Sequence, residues 1–225
     1  MRRLFLFIML LISIQGVSAW DWPTHQNIVE RVYYSLPDLN LSLEYLKEGS
    51  IIPDKVFHDN RKHHYPDLLE LTEKWLLIAE EEYKKENFKN ASLAFGIASH
   101  YITDSFSSPH YIKGETSYQH SKYEERGYFE PNEYCRTDIE LKEILAESPE
   151  EGLFWESWLE NKDNEIPENA VNKAAKAVYI SAFETFNVEC DKKTRIISKD
   201  PEYTATILLS LVILILLSLL IKRKD

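Results

Sequence analysis

The chain has 225 residues, 44% hydrophobic and 28% charged, with a formal net charge of −11 at pH 7. That length suits one domain with a proper core, and the acidity argues against gripping a long nucleic acid outside a local pocket. Two cysteines without CxxC spacing argue against thiolate metal ligation, and no internal repeat, low-complexity linker or sustained period-two alternation is present. Residues 1–19 open with Arg2 and Arg3, run apolar from Leu4 to Ile14 and end in Val17-Ser18-Ala19. This is the pattern of a secretory signal peptide, against the alternative of an uncleaved anchor. Cleavage after Ala19 makes Trp20 the first residue.

The middle of the chain reads as helices. Residues 66–86 place Leu68, Leu71, Trp75, Ile78 and Ala79 on one face, mostly opposite the acids, with Pro66 and Asp67 at the start. Residues 88–104 form the next, with small Ala91, Ala94, Gly96 and Ala98 permitting close approach. Pro109 ends that helix and lets His110 turn back. Residues 139–146 and 168–186 are the remaining predicted helices. In the acidic stretch 144–169, Trp155 and Trp158 read as local packing in preference to a lipid contact. Cys135 and Cys190, an even pair in an exported chain, suggest one disulfide. From Thr204 to Ile221 the chain has 18 uncharged residues, followed by Lys222-Arg223-Lys224. A bilayer needs about 17–25 such residues, and the basic cluster marks the cytoplasmic side. The expected fold is all-α: a compact multi-helix domain plus one C-terminal transmembrane helix. The expected organisation is a signal peptide at 1–19, a domain at 20–195, a linker at 196–203, a membrane span at 204–221 and a tail at 222–225. The domain is expected to lie on the extracytoplasmic side of the cell membrane.

The chemistry concentrates between Ser99 and Glu124. His100 and Asp104 are four residues apart, as are His120 and Glu124, so on a helix each pair shares one face. One such pair commonly makes a surface hydrogen bond. Two pairs within 25 residues, with His110 between them, point to imidazole and carboxylate donors gathered for metal. All seven histidines, His25, His58, His63, His64, His100, His110 and His120, fall in the first 120 residues.

A leading Trp20 followed by DWPTH, an acid at Asp54 and this histidine-rich stretch resembles the zinc-dependent phospholipase C and single-strand nuclease superfamily, over residues 20–190. The resemblance implies a helical domain around a cleft with three zinc ions. Its ligand pattern maps onto Trp20 through its amino nitrogen and carbonyl oxygen, His25, Asp54, His64, His100, Asp104, His110, His120 and Glu124. Of the adjacent pair, His64 is preferred over His63 because His64 to Asp67 reads His-aromatic-x-Asp. Asp104 is implied to bridge two metals, and Asp54 to orient or deprotonate the attacking water.

The implied reaction is hydrolysis of a phosphodiester by metal-activated water, without a serine nucleophile. Glu124 in HSKYE looks like the phospholipase branch, so a phospholipid or its headgroup is the expected substrate. An extracytoplasmic nuclease or nucleotidase with the same metals is the alternative, and a non-catalytic surface protein the third reading. At the choline pocket of the bacterial phosphatidylcholine enzymes this chain has Pro23, Lys55 and Arg61, one acid lost and two bases gained. An anionic or hydroxylated headgroup is therefore expected.

Overall fold

The computed structural model describes residues 22–58, 63–125 and 140–188. Its elements in chain order are α1 (Trp22–Ser35), α2 (Leu43–Gly49), a π-helical turn (Pro53–Phe57), α3 (Leu69–Lys84) and α4 (Phe88–Asp104). A 3-10 turn (Ser108–Tyr111), α5 (Ser117–Glu124), α6 (Leu141–Glu147), a second 3-10 turn (Ser148–Phe154), α7 (Trp155–Asn161) and α8 (Glu165–Phe186) follow. The described residues are all-α, as expected from the absence of alternation.

Helix α4 is the axis. Its start is set by Asn87, whose side chain accepts the Asn90 N–H, and it is buried almost throughout from Ala91 to Asp104. Helix α8 is buried almost as completely from Ala170 to Phe186 and packs beside it, joining Phe95, Ile102, Val178, Phe183 and Phe186 in the main core. Each such side chain contributes about 1.5–3 kcal/mol by leaving water. With its apolar stripe committed to this core, α4 is a rigid mount for the polar residues of its last turn.

Helix α2 crosses α4 where Gly49 meets Gly96. A Cβ on Gly49 would lie 2.2 Å from the Leu93 carbonyl oxygen, and one on Gly96 would lie 2.4 Å from that of Leu46. Only two glycines permit so close a crossing. Of the small residues of 88–104, Gly96 therefore does allow close approach, and the surface it meets is α2.

The predicted helices 66–86 and 139–146 form as α3 and α6, and 168–186 lies within α8, which begins three residues earlier at Glu165. Helix α3 begins at Leu69, after the cis Tyr65–Pro66 peptide. Trp155 and Trp158 are buried with Tyr123 in a second small core, with Trp158 5.1 Å from each of the other two rings. They are packing residues. The signal peptide, Trp20, Arg61, the Cys135–Cys190 pair and the 204–221 segment lie outside the described residues. Among the described residues no helix is long and apolar enough to cross a membrane.

Candidate metal centre

Four elements converge at the C-terminal end of α4. Helix α1 contributes His25, the π turn Asp54, the segment before α3 His63, and the last turn of α4 both His100 and Asp104. Asp104 is the hub. Its Oδ1 lies 3.2 Å from His25 Nε2, while Oδ2 lies 2.8 Å from His63 Nδ1 and 3.1 Å from His100 Nε2. Asp54 Oδ1 lies 3.4 Å from His100 Nε2 and 3.8 Å from His63 Nδ1. The rings of His25 and His100 stack with centroids 4.1 Å apart.

A second group sits beside the first. His120 Nε2 lies 2.9 Å and His110 Nε2 3.5 Å from Glu124 Oε1, which also accepts the Ser107 hydroxyl proton at 3.0 Å. Helix α5 holds His120 and Glu124 one turn apart, started by a capping box between Thr116 and Gln119. His110 sits on the 3-10 turn that Pro109 begins. Its ring is 4.9 Å from His120 and 5.7 Å from His63, so it joins the two groups. Asp54, His63, His100 and Asp104 form one set able to hold an ion, and His110, His120 and Glu124 another.

The electrostatics call for a cation. His100 Nδ1 meets the Ser50 carbonyl oxygen at 2.8 Å, and since a carbonyl only accepts, Nδ1 must donate. A neutral His100 then presents the lone pair of Nε2 to two carboxylates. That nitrogen is buried and has no hydrogen-bond partner among the described residues. Three acceptors facing one another need a proton or a metal between them. Burial opposes charge on His100, but Asp104 and Asp54 outweigh it and raise its pKa to about 10. Burial likewise opposes the Asp104 carboxylate, and His100 and His25 hold it well below its ordinary range. Against burial, Asp54 is held down by His100 and Glu124 by His110 and His120, while Glu124 lifts His120 to about 9. Zinc takes just these nitrogen and oxygen donors, and a ligating histidine commonly donates its other ring N–H to a carbonyl or carboxylate oxygen. The donor set fits zinc.

The chain matches the description Zinc dependent phospholipase C over residues 24–181, more than half its length. It belongs to the zinc-dependent phospholipase C family. Family membership makes it a phosphodiesterase, a hydrolase that requires zinc. No curated protein and no solved structure matches the chain.

At the adjacent pair of histidines the geometry differs from the sequence expectation. His63, not His64, enters the cluster. His63 is buried, while the His64 side chain is 36% exposed, with Nε2 4.0 Å from Asp67 Oδ2. The His-aromatic-x-Asp context that favoured His64 is real, but it makes a surface pair. Adjacent residues in an irregular segment point in different directions, and spacing does not say which points inward. What fixes the segment is Tyr111. Its hydroxyl accepts the Tyr65 N–H at 3.2 Å and donates to the Ser105 carbonyl at 2.7 Å, tying the chain after His63 to the turn after α4. Neither Tyr111 nor the Ser50 carbonyl carried a sequence signal, because the Tyr111 hydroxyl bonds to backbone groups and Ser50 acts through its own carbonyl. His58 is exposed at the end of the π turn, away from these contacts.

Proposed function

We propose that the chain is a membrane-anchored phospholipase C-like hydrolase that cleaves phospholipid or headgroup phosphodiesters at a site of three zinc ions. The observation that carries the reading is the pair of linked donor sets, Asp54-His63-His100-Asp104 and His110-His120-Glu124, adjoining His25. A free amino terminus at Trp20 would complete the ligands, with Asp104 bridging. Zinc, when bound, polarises the phosphoryl oxygens and brings the pKa of a bound water toward about 7.

The protein's own residues then divide the remaining work. Asp104 is sealed in, with 4% of its side chain exposed, whereas Asp54 has 35% exposed on the same cluster. Asp54 is thus the carboxylate that an incoming water can reach. Its depressed pKa keeps it ionised, which suits it to accept a hydrogen bond from the water and orient it for attack on phosphorus. His100 and Asp104 hold position through the Ser50 carbonyl and the α4 backbone. The acidic chain repels polyanions beyond the pocket, which favours a lipid over a nucleic acid. Lys55, exposed beside Asp54 on the π turn, together with Arg61, suits an anionic or hydroxylated headgroup better than choline.

Parallel assays of the zinc-loaded protein on phosphatidylglycerol and on single-stranded DNA test this reading. Release of the phosphorylated headgroup with little cleavage of DNA is expected. The reverse preference would favour the nuclease alternative.

A further inference from the structure

We propose that Trp22, Lys55, Val56 and Phe57 form a docking surface that seats the catalytic cleft on an anionic phospholipid bilayer. The proposal rests on the phospholipid reading above. Single exposed hydrophobic residues are ordinary on any protein, but grouped ones beside a site are not. Here Val56 is 58% exposed, Phe57 42% and Trp22 41%. Val56 and Phe57 are neighbours on the π turn, and Lys55 links that turn to Trp22. The Lys55 ammonium lies 5.7 Å from the Trp22 ring centroid, and Phe57 stacks on Trp75 with centroids 6.0 Å apart.

The same five-residue turn carries Asp54, whose carboxylate points inward to His100 at 3.4 Å. Its next three residues, Lys55, Val56 and Phe57, are all exposed. One side of the turn therefore belongs to the metal cluster and the other to solvent. A bilayer touching Val56 and Phe57 would bring lipid phosphates to the edge of the cleft.

Charge selects the occupant. A chain of net charge −11 is repelled as a whole by an anionic surface, so contact needs a local cation. Lys55 sits within the apolar patch and makes no ion pair among the described residues. An aromatic ring and a lysine beside aliphatic side chains is the composition of membrane interfaces. The chain beyond α8 agrees. Residues 187–203 separate Phe186 from the expected membrane span, a reach of at most about 60 Å at ~3.5 Å per residue. Such a tether would keep the domain at the bilayer and leave its orientation to be set by a surface such as this one.

The test uses the full chain reconstituted in vesicles containing phosphatidylglycerol. A nitroxide at Val56→Cys is compared with one at Lys142→Cys on the exposed side of α6, with the unsubstituted chain as blank for Cys135 and Cys190. The label at position 56 should collide with oxygen more than with a water-soluble nickel chelate, and the label at 142 should do the opposite. Equal nickel accessibility at the two positions would overturn the proposal, as would label–label broadening at position 56 from a second copy. In a second arm, Val56→Asp with Phe57→Ser should lower hydrolysis of vesicle lipid at least tenfold and leave hydrolysis of a short-chain monomeric phospholipid within twofold. Unchanged vesicle hydrolysis would overturn docking. If the unsubstituted chain hydrolyses neither lipid, the phospholipase reading fails, and the depth measurement still decides docking.

Discussion

The carbonyl of Ser50 accepts the Nδ1 proton of His100 at 2.8 Å, although the two residues are fifty positions apart. The contact exists because α2 and α4 cross at Gly49 and Gly96, so the residue that ends α2 is pressed against the metal end of α4. It fixes which histidine nitrogen faces the carboxylates, and hence the direction in which the site can bind an ion.

Gly96→Ala should break that relation. The new methyl would lie 2.4 Å from the Leu46 carbonyl and 2.9 Å from the Ser50 nitrogen, both rigid backbone. Forcing the helices apart should cost about 1–3 kcal/mol and move the Ser50 carbonyl from His100. Thermal melting of the metal-free protein and zinc titration should both register the change. A variant with unaltered melting and zinc affinity would show that the crossing does not govern the site.

His63→Ala and His64→Ala separate the structure from the sequence expectation. The first should lose bound zinc and at least a hundredfold in activity, because it removes a nitrogen 2.8 Å from Asp104. The second should keep its metal and most of its activity. The opposite result would restore His64 as the inward-facing residue.

Much of this was readable from residue patterns, and the limits have physical causes. Helix α4 forms over the predicted residues 88–104, and the four-residue separations of His100 from Asp104 and His120 from Glu124 survive because they lie within single helices. In α1 the regular spacing of His25, Ile28, Val29 and Val32 also marks a helical face, a signal the sequence expectation passed over, whereas α2 is only seven residues long. Gly96 was visible as a small residue, but its contact with Gly49 is a tertiary fact. His63 and His64 could not be told apart because the segment that holds them has no period.

Metal binding should release protons. In the metal-free protein His100, raised to about 10, and His120, raised to about 9, hold protons at neutral pH that zinc must displace. Apparent zinc affinity should therefore rise with pH up to that range. Metal-free stability runs the other way. Both folded pKa values lie above the ordinary 6.5, so their contribution is full below 6.5 and is lost as pH rises through 9 and 10. Asp104 and Glu124, being lowered, lose theirs in acid. Calorimetry in buffers of different ionisation heat, with melts in a chelator, measures both effects. Zinc binding without proton release, or metal-free stability rising from pH 7 to 10, would contradict these assignments.

A free Trp20 amine should be required for full activity. An amine can chelate zinc with its own carbonyl oxygen in a five-membered ring, whereas an amide nitrogen has no available lone pair. Protein beginning at Trp20 should outperform protein with a short N-terminal extension in both zinc content and phosphodiesterase rate. Equal values in the two would remove Trp20 from the ligand set.

Zinc content per chain bears most directly on the central claim that the clustered histidines and carboxylates form one multinuclear hydrolytic centre. Elemental analysis of the purified, dialysed protein, processed at Ala19, should give three zinc ions per chain. A folded protein holding one zinc or none would contradict the account.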